Sequence, residues 1–391
     1  MLAALASVSD IVSEMDGFVR PEVVEGHPRW AATGSARIWR EVLRRRLATQ
    51  RLTGAELPTA TDVVRLLGCV QSQEFAHGLW SLGMRTDGLT AADVRAEFDR
   101  GSLLRTHILR PTWHFVAAED IRWIMQVTAP RVQKLNQTIY RQHGLDRASL
   151  DLGAAVISEE LRGGRYRTRA ELARALAERG LASEGIGLAY IVMNAELDSV
   201  ICSGPMRGAQ QTYALLDERA PRSADAAGDI AELARRFFLG HGPASIQDLA
   251  RWSSLTISQC RDAVDAVKDG LDFVTVQGVE LWFDAAAAKP GPSSAALLIP
   301  LYDELTLSYP VINFPQATGH PHRPGEDLFV GCVILAETNV GLWRRTLQGQ
   351  KMIMEITLTP GVVATSRDAV EAAAADLAAF VGKELELTIS G

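Results

Sequence analysis

One pattern recurs along this chain and restricts its fold: a capped short helix, a second helix, then two extended runs joined by a tight turn. The caps are Thr59-x-x-Asp62, Thr90-x-x-Asp93, Thr168-x-x-Glu171, Ser245-x-x-Asp248 and Thr256-x-x-Gln259. In each, a hydroxyl can cap the first helical turn while an acid or amide three residues on reaches back to the cap's own N–H. The extended pairs are "LLRTHILRPTWHFV", "SVICSGPMRGAQQTYALL" and "LDFVTVQGVELWF", each broken by Pro or Gly at its middle. Helix, turn, helix and hairpin is the winged-helix layout, which can present its second helix to a DNA groove and can also bind protein. The chain is therefore expected to be α+β, with three tandem winged-helix (helix-turn-helix) modules at 35–118, 119–223 and 224–288.

After the break "KPGPSSAA" the rhythm changes to strand-like runs, "ALLIPLYDEL", "EDLFVGCVILAETNVGLW", "KMIMEITL" and "LELTIS". One helix interrupts them, with Ser366 as its expected cap and Val370, Ala374, Leu377 and Phe380/Val381 on one face. Residues 289–391 thus read as a small C-terminal β-barrel with one helix. Residues 1–34 carry Asp10, Glu14, Asp16, Glu22 and Glu25, an acidic N-terminal extension opposite in sign to a basic signal region.

No run approaches the roughly 18 apolar residues that span a bilayer, so no membrane partner is expected. Cys69, Cys202, Cys260 and Cys332 are scattered singly, which argues against zinc or disulfides and for a reducing cytoplasm. The net charge of −7 hides two basic stretches. Residues 31–60 hold six Arg against two acids, a local +4; residues 100–147 hold eight bases against three acids, a local +5. Such stretches fit a polyanionic partner or a solvated Arg-rich helix face.

The oddest stretch is "LLGCVQSQEFAHGLW", an apolar, helix-like run carrying Gln71 and Gln73. A buried amide must find several partners, whereas on a helix surface or turn it means little. Elsewhere, Thr112, Trp113 and His114 stand on the first hairpin, where Trp113 and His114 either face DNA or join the core. Arg105 and Arg110 alternate with apolar residues there, as phosphate contacts or a solvated edge. Arg44 lies in the first basic stretch, and Arg344-Arg345 follow Trp343. His320 and His322 have no Cys or acid at ligand spacing, so no metal is expected. Phosphate-loop, dinucleotide and nucleophile-elbow motifs are absent, so no organic cofactor is expected. Asp303 and Glu304, taken as adjacent strand residues on opposite faces, read as structural or cleft-edge groups.

Five segments in order, "VVRLLGCVQSQE", "LRTHILRPTWHFVAAED", "LGHGPASIQDLARWSSLT", "LLIPLYDEL" and "VGLWRR", resemble a family of winged-helix DNA-binding proteins that includes the bacterial DNA glycosylases AlkZ and YcaQ. The resemblance implies a C-shaped assembly of three winged helices and a β-barrel around a cleft for double-stranded DNA. It implies hydrolysis of the N-glycosidic bond of N7-alkylated purines, extending to bulky adducts or interstrand crosslinks. AlkZ-type relatives carry a Gln-x-Gln motif, which Gln71-Ser72-Gln73 fits, although Ser72 replaces the usual apolar residue. Pro111 stands where Gly is usual, and "TLSYPVINF" departs from relatives after Leu305.

On this reading Gln73 holds the attacking water, while Gln71 shares it or steadies the sugar cation. Arg44, Arg105, Arg110, Thr112, Trp113, His114, Arg344 and Arg345 contact DNA. The enzyme is expected to be monomeric and cytoplasmic, acting on the nucleoid. The rival readings are a non-catalytic DNA-binding protein or transcriptional regulator, and a protein-interaction scaffold.

Overall fold

Each of the five caps read from the sequence starts a helix. Four form reciprocal boxes, at Thr90, Thr168, Ser245 and Thr256; at Thr59 the hydroxyl accepts from Asp62 N at 3.0 Å. The computed structural model describes residues 35–220, 222, 228–287, 295–310, 313–321 and 330–391. The acidic extension, most of the 289–296 break and His322 lie outside the described residues.

In chain order, α1 (Ser35–Thr49), α2 (Ala60–Leu67), β1 (Val70–Gln71), α3 (Phe75–Gly83) and α4 (Ala91–Arg100) precede a hairpin of β2 (Leu103–His107) and β3 (Trp113–Ala117). Next come α5 (Ile121–Gln142), α6 (Arg147–Leu161), β4 (Arg167–Thr168), α7 (Arg169–Glu178) and α8 (Gly185–Leu197), then β5 (Ile201–Ser203), β6 (Thr212–Leu215) and α9 (Leu216–Arg219). The third passage is α10 (Ile230–His241), α11 (Ile246–Ser253) and α12 (Ile257–Val267), followed by β7 (Asp272–Val276) and β8 (Val279–Phe283). All three expected hairpins pair antiparallel. Between β7 and β8, Gln277 and Gly278 both adopt positive φ, 53° and 80°, the backbone a two-residue turn needs to match strand twist. Short strands that the sequence did not flag widen the first two hairpins, giving the orders β1-β3-β2 and β4-β6-β5.

The chain divides into two compact units. One contains Val132–Pro221; the other joins Ile38–Arg131 to Arg222–Gly391. In the larger unit α1 serves two apolar clusters. Leu43, Leu47 and Leu52 meet Ile299, Leu305, Phe314 and Ile334, while Trp39 and Val42 meet Val276 and Leu281. Fully burying side chains of this size contributes roughly 1.5–3 kcal/mol each, so α1 ties distant stretches of chain into one core. Helix α10 meets the end of α2 at Gly240, where an added Cβ would stand 2.3 Å from Leu66 O.

The C-terminal segment departs from its expectation. After β9 (Leu297–Ile299) the "YDEL" run leaves the extended state, and Asp303 caps α13 (Glu304–Leu307). Then follow β10 (Gly331–Leu335), β11 (Thr338–Gln348), β12 (Lys351–Leu358), α14 (Val363–Val381) and β13 (Glu384–Ser390). The sheet order is β13-β12-β11-β10-β9, an open five-stranded sheet among the described residues rather than a closed barrel. The reason lies in the last connection: β13 runs parallel to β12, and a parallel neighbour requires a crossover, which α14 supplies. That crossover sets β13 at an outer edge, away from β9. The helix buries Val370, Ala374, Leu377 and Phe380, the face its periodicity marks, but it starts at Val363, so Ser366 lies inside it.

Candidate active site around Gln71 and Gln73

The run holding the two glutamines is not helical where they stand. Gly68, at φ 78°, ends α2, and the chain enters β1, which pairs with β3 so that Val70 faces Phe115 and Gln71 faces His114. Ser72 N extends the ladder with a 2.8 Å bond to Trp113 O. β1 ends at Gln71, and Gln73 stands two residues on, in the bend that leads into α3. Gln71 is 7% exposed and Ser72 1%, while Gln73 is half-buried. The helix-surface reading of the pair therefore fails.

Each amide carbonyl is held. Arg110 Nη2 donates to Gln71 Oε1 at 2.8 Å, and Trp113 N donates to Gln73 Oε1 at 3.2 Å. The backbone of Gln71 is fixed too, its N–H donating to Glu304 Oε1 at 2.8 Å. Glu304 is fully buried and also accepts from Ser308 Oγ at 2.9 Å. Burial alone would raise its carboxyl, but His241, Arg110 and His114 around it bring it down to about 2. His241 Nε2 stands 3.6 Å from Glu304 Oε2, within ion-pair range but too long for a hydrogen bond.

Three residues expected at DNA make their contacts within this site. Arg105 is 4% exposed and donates to Ser72 O at 3.0 and 2.8 Å and to Gln73 O at 3.1 Å. Its guanidinium lies 4.3 Å from the Trp113 ring centroid, and Ser72 Oγ is 3.3 Å from its Nε. The unusual Ser72 thus gives Arg105 a polar neighbour that an apolar residue could not.

His114 is fully buried, with Nδ1 2.9 Å from Thr112 O and Nε2 3.1 Å from Arg110 Nη2. Both ring nitrogens are occupied, leaving none for a base or phosphate. Burial, and then the Arg110 charge, lower this His to about 3, so the ring is neutral, protonated on Nδ1 and accepting on Nε2. Arg110 completes its contacts on Trp252 O at 3.3 Å. The +5 of the second basic stretch is thus partly spent inside the protein.

Thr112 Oγ1 and Trp113 Nε1 remain buried without a hydrogen-bond partner among the described residues. Arg345 comes to the first turn of α3, donating to Ala76 O at 3.2 Å. Beside it His77 stacks on Trp343 with centroids 5.6 Å apart. Arg344 and Arg44 stay apart from the glutamines: exposed Arg344 bridges Glu355 across the strands, and Arg44 pairs with Glu337 at 3.0 Å. His320 Nε2 lies 3.0 Å from Asn339 Oδ1. No three His, Cys, Asp or Glu side chains gather as metal ligands among the described residues, and no described helix is long and apolar enough to cross a membrane.

Sequence reasoning missed Glu304 as a neighbour of Gln71, because a strand would have turned it away from Asp303. The available signal was Asp303 followed by an acid, a helix-start pattern. Asp303 itself clamps Arg85 through two 2.9 Å bonds, both side chains being wholly buried.

A buried and a half-buried amide, at and just past the end of a short strand that joins a hairpin in a mixed α+β chain, have counterparts among known proteins. The family described as DNA glycosylase AlkZ-like matches residues 64–380. The chain belongs to that family. The solved structure of Streptomyces sahachiroi DNA glycosylase AlkZ aligns with a TM-score of 0.70 over 90% of this chain and 99% of that one. At 21% identity this shows a shared fold. A curated relative, the interstrand DNA cross-link repair glycosylase of Streptomyces sahachiroi, is 27% identical over 233 residues, 56% of this chain. The match spans 61% of that relative's length.

Proposed function

We propose that this chain is a monofunctional DNA glycosylase that hydrolyses the N-glycosidic bond of N7-alkylated purines, including bulky adducts and interstrand crosslinks. The observation that carries the reading is the pair Gln71 and Gln73, neither of them on a free surface, each with its carbonyl anchored.

An N7-alkylated purine is cationic, so it leaves without a general acid. The C1′–N9 electron pair goes to the base and neutralises it. Water adds to C1′, and its surplus proton passes to solvent. A neutral amide is no base near pH 7, but its oxygen has two lone pairs. On Gln73, Trp113 N–H uses one, and the other orients the water while directing negative dipole toward the sugar cation. Gln71, deeper and tied to Arg110, shares that water or steadies the cation. The helix–hairpin passages serve as winged-helix modules for double-stranded DNA, with Arg44, Thr112, Trp113, Arg344 and Arg345 at the DNA. Arg105, Arg110 and His114 shape the site. An enzyme of this kind acts on the nucleoid as a monomer and needs neither metal nor organic cofactor.

The test is duplex DNA carrying 7-methylguanine, with released base and abasic sites counted. Wild-type protein should release base, and Gln73→Ala and Gln71→Ala should each slow release about a hundredfold or more, the scale for losing one preorganised polar group. Arg345→Ala should lower the slope of log affinity against log salt by about one. Salt-sensitive binding with no release from 7-methylguanine or bulkier N7 adducts would leave a DNA-binding protein without this chemistry.

A further inference from the structure

The charges behind Gln71 are arranged in an unusual way. The Arg110 guanidinium has three partners, Gln71 Oε1, His114 Nε2 and the main-chain Trp252 O, and none is a carboxylate. Glu304 accepts from Gln71 N and Ser308 Oγ, both neutral donors, and the His241 ring stands 3.6 Å from its Oε2, beyond hydrogen-bond length. The guanidinium and the carboxylate therefore sit on either side of one glutamine, which bonds to both. Glu304 is fully buried and Arg110 half-buried, and a charge so far removed from water is costly without an opposite charge nearby.

We propose that Glu304 is the counter-ion of Arg110 across Gln71, cancelling its charge so that the anchored amide can serve a cationic lesion. This rests on the glycosylase reading. Arg110 fixes the amide by its carbonyl, yet an isolated guanidinium there would repel both the cationic purine and the sugar cation that forms as it leaves. Glu304 removes that repulsion without touching the substrate. It is a positioning residue and Gln71 the group it acts through. A unit charge roughly 10 Å away at an effective dielectric near 20 alters binding of a cation on the order of tenfold.

The test uses full-length protein, wild type and three variants: Glu304→Gln, Arg110→Met and the double variant. One readout is the affinity ratio for duplexes bearing a protonated pyrrolidine or an uncharged tetrahydrofuran in place of the target sugar. Glu304→Gln should reduce that cation preference about tenfold, and the double variant should restore it to within about threefold of wild type. A purely structural Glu304 would weaken both duplexes equally. An unchanged ratio in Glu304→Gln overturns the proposal, and so does a double variant no better than Glu304→Gln.

If Glu304→Gln does not fold, a double variant that folds upholds compensation and one that does not fold refutes it. The second readout is release of 7-methylguanine by wild type. Its absence beside a charge-dependent ratio would sink the glycosylase reading and leave the counter-ion standing. Release beside a charge-independent ratio would do the reverse.

Discussion

Asp303→Asn tests the framework that holds Glu304 in place. Arg85 and Asp303 are joined by two 2.9 Å hydrogen bonds and both side chains are 0% exposed. Arg85 also donates to Gln50 O at 3.0 Å, Gln50 Oε1 at 2.8 Å and Ser81 O at 2.7 Å. Gln50 reaches Tyr309 OH at 2.8 Å, and Tyr309 OH donates to His241 O at 2.6 Å. Asparagine preserves the shape and removes the charge, stranding a guanidinium in the core. Breaking one side of a buried pair costs about 3–5 kcal/mol. For a unit of this size each kcal/mol lowers Tm by about 2–4 °C, so the expected fall is roughly 6–20 °C by far-UV circular dichroism.

Replacing both partners, Arg85→Met with Asp303→Leu, should regain part of the loss: no unpaired charge then remains, but Gln50 O, Ser81 O and Leu305 N give up these bonds. Asp303 Oδ1 also accepts from Leu305 N at 2.8 Å, capping the helix that carries Glu304. Asparagine can keep that cap, so base release by Asp303→Asn should fall only as far as the stranded Arg85 disturbs the framework around Glu304. A Tm shift below about 3 °C, or a double variant weaker than the single, would refute the reasoning.

Acid should destabilise the protein through two histidines. His114 and His77 are lowered from 6.5 to about 3 and about 4, His77 by burial and by Arg345. The unfolded chain takes up these protons near pH 6.5 and the folded chain does not, so stability falls as pH drops below that value. Between pH 6 and 5 the decline should be about 1.4 kcal/mol per pH unit for each histidine. His77→Gln should remove about half of that slope in urea titrations, and an unchanged slope would contradict the assignment. Gly240→Ala should cost about 2 kcal/mol or more by overpacking, its Cβ meeting Leu66 O at 2.3 Å. Gly270→Ala, where nothing lies within 4 Å, should be close to neutral by the same unfolding assay. Equal effects would undo the packing argument.

Local chemistry is legible in the sequence wherever it acts over a few residues. A cap and its partner sit three positions apart, so Thr90–Asp93 and Thr256–Gln259 follow from residue order alone. A two-residue turn such as Gln277-Gly278 carries its own backbone demand. The apolar stripe Val370, Ala374 and Leu377 follows from helical period. The Gln-x-Gln motif is also visible, but its backbone is not. A helix and a strand compete for so short an apolar run, and pairing of Val70 with Phe115, 45 residues on, settles Val70–Gln71 as a strand, with Gln73 in the bend beyond it.

What tertiary structure decided lies in contacts between residues far apart in the chain. Glu304 meets Gln71 across 233 positions, Arg110 meets Trp252 across 142, and Arg85 meets Asp303 across 218. No local pattern encodes those partners. Arg105 and Arg110 therefore read as surface charge in the sequence, although the fold buries Arg105 and half-buries Arg110 around the glutamines. The open C-terminal sheet has the same origin, since strand runs look alike whether they close a barrel or end at an edge. Only the parallel return of β13 through α14 determines which. The sequence by itself specified the pieces and the two amides, because those depend on neighbours a few bonds away. The charges that hold the amides came from packing, which brings remote groups together and removes the water that would have screened them.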